Sequence, residues 1–295
     1  MRRRLTVYAA VSFLTVALTA NQGCAERNKY PLGLDGRVLT VEYDGHLPMT
    51  IYLPDEARRP SPVVVFNHGR PFRNIRWRTY KLSERHPFVD NLTRQGFAVA
   101  VPIRAGYHSA PGRDGEKIAC NAPPRGHFQR ALTSGKGNIL AAIERLKGLP
   151  QIDTSRVFVA GTSGGGFLTL GSLDAYPDNV RGVISFNGGR CGRRGTYFRG
   201  LEYAAELIST AAARSDIPVL VVASTRDRTI PAPSSYALTN AICKARQEKC
   251  KSTVFLANAV GAGHGFKSTA SHSIRYVLDF MNRFDIWPAH QAPKS

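Results

Sequence analysis

Acidic residues are scarce in this chain: 21 Asp and Glu stand against 40 Lys and Arg, a formal charge of +19 in 295 residues. Such an imbalance raises nucleic acid as a partner. No zinc-finger spacing, aromatic RNA-binding signature or uninterrupted basic helix accompanies it, so nucleic-acid binding is not expected. A solvated basic surface, attracted at most to an anionic cell envelope, is the simpler reading. There is no CxxC pair and no His/Cys cluster, so neither a metal site nor a metal cofactor is expected. Internal repeats and low-complexity tracts are missing too, which excludes solenoids and fibrous chains. No apolar run reaches the roughly 20 residues that span a bilayer.

What is present begins with an export pattern. Arg2, Arg3 and Arg4 precede the charge-free apolar stretch from Leu5 to Leu18, which is shorter than a membrane span requires. Gly23 and Ala25 put small residues at the positions a signal peptidase inspects, so cleavage before Glu26 is expected, with cleavage after Ala20, lipidation at Cys24 or an uncleaved anchor as alternatives. Periplasmic or secreted location follows. Loss of Cys24 leaves Cys120, Cys191, Cys243 and Cys250, an even set for two bridges in an oxidising compartment, although four free thiols are the alternative. On a continuous helix Cys243 and Cys250 would lie about 10 Å apart, beyond disulfide reach. If they pair, the chain must turn near residues 247–249, leaving Cys120 for Cys191.

From residue 37 onward strand-like and helix-like segments alternate, the pattern of an α/β fold with a mostly parallel sheet and helices on both faces. Residues 37–43 and 49–53 flank Asp44-Gly45 as an edge hairpin. Residues 62–66, 97–101, 156–160, 180–186 and 218–223 are short apolar runs suited to buried strands, and 253–256 could be the last. Residues 139–149, 236–244 and 274–284 are expected as helices. The long connection at about 188–215, with alanine-rich 201–213, leaves room for a small cap over the active site. The expected organisation is a signal peptide (1–25), a linker (26–36), one domain (37–287) and a loose tail (288–295).

Gly161-Thr162-Ser163-Gly164-Gly165 follows the 156–160 strand and precedes a helix-compatible run, the strand–turn–helix context that gives G-x-S-x-G its meaning. A serine hydroxyl needs a base as it attacks, and that base needs an orienting carboxylate. Asp227 follows the 218–223 strand, and His264 sits in Gly261-Ala262-Gly263-His264-Gly265-Phe266 after the last strand. Asp279 and Asp285 come after His264 and fit the acid's place poorly, whereas pairing of Asp227 with Arg226 or Arg228 is its ordinary reading; His272 and His290 read as surface residues. With Asn67-His68-Gly69-Arg70 after the 62–66 strand, residues 37–285 resemble an α/β-hydrolase, closest in style to dienelactone hydrolase-like and acyl-peptidase-like esterases. The resemblance implies an oxyanion hole formed by the backbone N–H groups of Arg70 and Gly164. It also matches the loop 102–109, where Ala105 replaces a usual glycine, a change of loop geometry rather than of catalysis.

The function expected is hydrolysis of a small-molecule carboxylic ester through an acyl-enzyme on Ser163, His264 and Asp227, without organic cofactor. A peptidase acting on short peptides, or a catalytically inactive envelope-binding relative, are the alternatives. His68 reads as structural. Arg70, Arg73, Arg76 and Arg78 crowd one segment, ordinarily a solvated face; with Arg104, the residues Arg73 and Arg76 are the candidates for holding an anionic acyl group.

Overall fold

A computed structural model describes residues 37–54, 60–70, 86–107, 110–121 and 124–284. The expected signal peptide, linker and C-terminal tail, and Arg73, Arg76 and Arg78, lie outside the described residues. Ten strands and seven helices occur among those described: β1 (Val38–Tyr43), β2 (Leu47–Tyr52), β3 (Ser61–Asn67), α1 (Pro87–Arg94), β4 (Ala98–Pro102), α2 (Arg125–Leu146), β5 (Ile152–Thr162), α3 (Gly164–Gly171), β6 (Val180–Phe186), β7 (Arg193–Arg194), β8 (Tyr197–Phe198), α4 (Leu201–Ala212), β9 (Val219–Ser224), α5 (Ala232–Arg246), α6 (Cys250–Thr253), β10 (Val254–Ala259) and α7 (Phe266–Arg283).

Eight strands form one sheet in the order β1-β2-β4-β3-β5-β6-β9-β10, while β7 and β8 make a separate small hairpin. β2 pairs antiparallel with both neighbours, and every pair from β4 to β10 is parallel. The β1–β2 turn falls where Asp44-Gly45 predicts it, with positive φ at both residues (46° and 84°). Central strands are apolar on both faces because helices cover both: Val63, Val64, Val65 and Phe66 of β3 and Val157, Phe158, Val159 and Ala160 of β5 are fully buried. Each such aliphatic or aromatic side chain contributes about 1.5–3 kcal/mol of transfer free energy. α1 packs on α7, while α2, α3, α4 and α5 pack on one another in a second layer.

The differences from the sequence expectation have local causes. α2 starts at Arg125, well before residue 139, although Gly135 and Gly137 lower its helix propensity. Gly135 is needed there, since a Cβ would come within 2.4 Å of Leu168 Cδ1. α4, expected as part of a cap, instead packs against α3 and α5 as the crossover helix between β6 and β9. The remainder of that connection is the loop carrying residues 189–192 and the β7–β8 hairpin. Both bridges are formed, Cys120–Cys191 and Cys243–Cys250, with Cα separations of 4.9 and 4.7 Å. The second is made by the required turn: α5 stops at Arg246, Gln247 takes φ 51°, and a 3-10 turn over Gln247–Lys249 brings Cys250 back.

α1 is not among the expected helices; its start is set by His86, whose Nδ1 accepts the Phe88 N–H (3.2 Å), with Pro87 at the first helical position. The His86 ring also stacks on Phe266 at 4.8 Å. Burial, and secondarily Lys267, push His86 down from the usual 6.5 to about 4. A depressed histidine stays neutral in the fold while the unfolded chain binds a proton, so stability is lost as pH falls from about 6.5 to about 4. Partial exposure screens the effect, leaving on the order of 1–2 kcal/mol. Denaturant titrations across that window should show the loss in the wild type and a smaller one in His86→Asn, which keeps a capping acceptor but no titrating ring; equal slopes would remove His86 as the cause.

Candidate active site

The three predicted residues follow the C-terminal ends of the parallel strands β5, β9 and β10, which lie at the same edge of the sheet with β6 between the first two. β5 runs into Ser163, which has φ 52° and ψ −121° and is followed at once by α3. Its backbone is tied on both sides: Ser163 N–H donates to Phe186 O (2.9 Å), and its carbonyl accepts from Phe167 N–H and Gly189 N–H (both 3.0 Å). A left-handed φ at a non-glycine residue costs energy and persists where surrounding bonds enforce it. The flanking glycine is a steric necessity, because a Cβ on Gly165 would lie 2.2 Å from Asn67 O.

Asp227 follows β9 and is 6% exposed. Its Oδ1 accepts Thr229 N–H (2.7 Å) and Ile230 N–H (2.8 Å), which fixes the carboxylate and leaves Oδ2 to His264 Nδ1 at 2.7 Å. His264 Nε2 is 3.1 Å from Ser163 Oγ. A carboxylate on Nδ1 holds the proton there and turns the lone pair of Nε2 toward the serine.

No sequence signal pointed to the residues that fix the His264 loop. Asn187 donates to Ser224 Oγ (2.9 Å) and Thr269 Oγ1 (3.2 Å), and Thr269 Oγ1 reaches the carbonyls of Gly263 (3.1 Å) and Gly265 (3.3 Å). This buried chain links the ends of β6 and β9 to the residues on either side of His264. Its members are common polar residues far apart in sequence, so only their convergence marks them.

On the other side of Ser163, a Cβ built on Gly164 would lie 3.5 Å from the amide nitrogen of Arg70. The two amides expected to serve an oxyanion are therefore neighbours. The Arg70 guanidinium turns away from them, donating to Asp114 Oδ2 (2.8 Å) and Glu116 O (2.9 Å). His68 is fully buried; its Nδ1 donates to Gly69 O (2.8 Å) and its Nε2 accepts Arg104 N–H (3.4 Å), which agrees with a structural role. Gly106, with φ 75°, supplies the left-handed position of the next loop, and a Cβ there would strike Asp114 N at 2.3 Å. Ala105 is consequently tolerated beside it.

A cavity of about 700 Å³ opens next to Ser163, bordered by Arg70, Lys117, Arg190, Ile230 and the Cys120–Cys191 bridge. Arg104 does not reach it, contrary to expectation. It is fully buried, its Nε donating to Glu116 Oε1 at 2.5 Å and its Nη2 to Oε2 at 3.3 Å. Arg190, which the sequence did not single out, donates to Glu116 Oε2 and to Glu116 O (3.0 Å), and Tyr107 Oη donates to the same carboxylate at 2.9 Å. Burial alone would raise the Glu116 carboxyl; the guanidinium groups of Arg104 and Arg190 outweigh it and hold the group well below the usual carboxylate range. Among the described residues no group of three or more His, Cys, Asp or Glu could hold a metal ion, and no helix is long and apolar enough to cross a membrane.

Sheet order, single antiparallel strand and helical layers are those of the α/β-hydrolase fold. The chain belongs to the dienelactone hydrolase family, whose profile matches residues 49–282, and it is a hydrolase by that membership. Among solved structures it is similar to Est1E from Butyrivibrio proteoclasticus, with 16% identity, a TM-score of 0.54 and coverage of 83% of this chain and 99% of that one. It is also similar to a puromycin-hydrolyzing peptidase of Mycobacterium tuberculosis (17%, TM-score 0.57, 86% and 41%) and to an acylaminoacyl peptidase of Pyrococcus horikoshii (19%, 0.55, 84% and 41%). The chain thus spans about two fifths of the length of those peptidases. A search of curated protein sequences finds no match.

Proposed function

We propose that the protein hydrolyses carboxylic esters through a serine acyl-enzyme. The observation that carries this reading is the hydrogen-bonded series Asp227–His264–Ser163 beside the paired amides of Arg70 and Gly164. Ser163 Oγ attacks the ester carbonyl carbon while His264 Nε2 takes the hydroxyl proton. The carbonyl π pair moves onto oxygen, where the two amide N–H groups meet the developing charge. Collapse expels the alkoxide, which leaves with the proton from His264. Water then attacks the acyl-enzyme with the same histidine as base, releasing the acid and restoring the serine. Asp227 holds the imidazole in its tautomer and orientation.

Esters with an anionic acyl group are the favoured subset, since the ammonium group of Lys117 borders the cavity. Two disulfides support an oxidising compartment, in keeping with export to the periplasm or medium. A basic surface there would draw the protein toward an anionic envelope.

A panel of p-nitrophenyl esters, neutral and anionic, run beside aminoacyl p-nitroanilides, tests this. Expected are covalent labelling by a fluorophosphonate, turnover of esters well above anilides, and an advantage for anionic acyl groups that shrinks in 0.5 M salt. Faster anilide cleavage would favour the peptidase reading. Absence of labelling on folded protein would favour an inactive binding protein.

A further inference from the structure

We infer that the Arg190 guanidinium acts as a fixed positive charge of the oxyanion site, stabilising the tetrahedral intermediate beyond what the two amides supply. The inference rests on the ester-hydrolase reading above and assigns an additional residue to it.

Three observations carry it. The first is position. A Cβ built on Gly164 would lie 3.6 Å from Arg190 Cζ and 3.5 Å from the Arg70 amide nitrogen, so the guanidinium and the amide pair flank one point. The second is anchoring. Arg190 directly follows Gly189, whose N–H binds the Ser163 carbonyl at 3.0 Å, and directly precedes Cys191, bonded to Cys120. Glu116 grips its Nη1 and Nη2 from the opposite wall. A charge held this way needs no reorganisation when the oxyanion forms.

The third is charge balance. Two buried guanidinium groups, Arg104 and Arg190, share one buried carboxylate, Glu116, which leaves a net positive charge behind the site. Arg70 adds nothing to it, being paired with Asp114. Arg190 Nε and Arg104 Nη1 are buried without a hydrogen-bond partner, so the cluster is under-compensated as it stands. A buried excess charge is unfavourable until a counter-charge appears. With a neutral ester one first appears on the carbonyl oxygen of the tetrahedral intermediate, so the relief is specific to the transition state and raises kcat rather than binding.

The test compares Arg190→Met with Arg190→Lys. With a neutral p-nitrophenyl ester, Arg190→Met is expected to lower kcat roughly 10- to 100-fold with KM within about threefold, whereas Arg190→Lys, which keeps the charge, recovers most of kcat. Inhibition by phenylboronic acid reads the same charge independently. Ser163 Oγ donates an electron pair to boron, its proton passes to His264, and an anionic tetrahedral boronate results. Its Ki should rise in Arg190→Met by about the factor lost from kcat. If Arg190→Met does not fold, Arg190→Gln retains an amide donor for Glu116 without the charge and takes its place. Folded neutral variants with kcat and boronate Ki within twofold of wild type would overturn the inference, as would Arg190→Lys falling as far as Arg190→Met, or a change confined to KM. Fluorophosphonate labelling of the wild type separates these results from failure of the ester-hydrolase reading itself.

Discussion

Ser163→Ala is expected to lower ester hydrolysis by about 10⁴- to 10⁶-fold in kcat and to abolish fluorophosphonate labelling, with the fold unchanged. The size follows from what the hydroxyl does. Without it the imidazole has no proton to take and no acyl-enzyme forms, so only the oxyanion donors and substrate positioning remain. Structure around the site should survive, because Ser163 is held through its backbone, by Phe186 O, Phe167 N and Gly189 N, rather than through its side chain. Ala at φ 52° carries the same backbone strain as Ser. Burst kinetics with p-nitrophenyl acetate check the outcome directly. A variant that still shows a burst, or that keeps more than about one hundredth of wild-type kcat, would move the nucleophile elsewhere.

The second large effect concerns stability. Glu116→Gln should cost about 3–5 kcal/mol, because it leaves Arg104 and Arg190 buried with no carboxylate between them. For a domain of this size that corresponds to a fall in Tm of roughly 10 °C. The size of the isosteric change argues for charge as the cause: Gln keeps the volume and one acceptor oxygen, yet two guanidinium groups then face each other uncompensated. The double variant Arg104→Met with Glu116→Gln restores the original net charge of the cluster and should recover part of the loss. Calorimetry on the two single variants and the double decides it, and strictly additive losses would mean that the three residues do not act as one charged unit.

Much of the site was legible in the sequence for reasons confined to a few residues. The strand ahead of Ser163 shows as an apolar run because both faces of the sheet are covered. The glycines beside it show because a Cβ on Gly165 cannot clear Asn67 O. Asp227 and His264 show because each follows a recognisable strand, and loops after parallel strands emerge at one edge. The need for a turn between Cys243 and Cys250, if they pair, follows from helix geometry. α1 was missed although Phe88, Val89 and Leu92 share one face, because it is only eight residues long and its start depends on a histidine cap. Arg104 was misread as a residue exposed to substrate, since nothing local distinguishes an arginine aimed at water from one aimed at Glu116.

The chain order of Ser163, Asp227 and His264, the parallel sheet and the placing of Ser163 on its turn are thus properties of the sequence itself, set by side-chain periodicity and backbone sterics over a few residues. The wall of the cavity is a property of the tertiary structure. Glu116 meets Arg104 12 residues away and Arg190 74 residues away, and Cys120 meets Cys191 across 71. Which of 40 basic residues finds a buried carboxylate depends on which loops the strand order sets side by side, and electrostatic attraction carries no sequence period by which it could be read in advance.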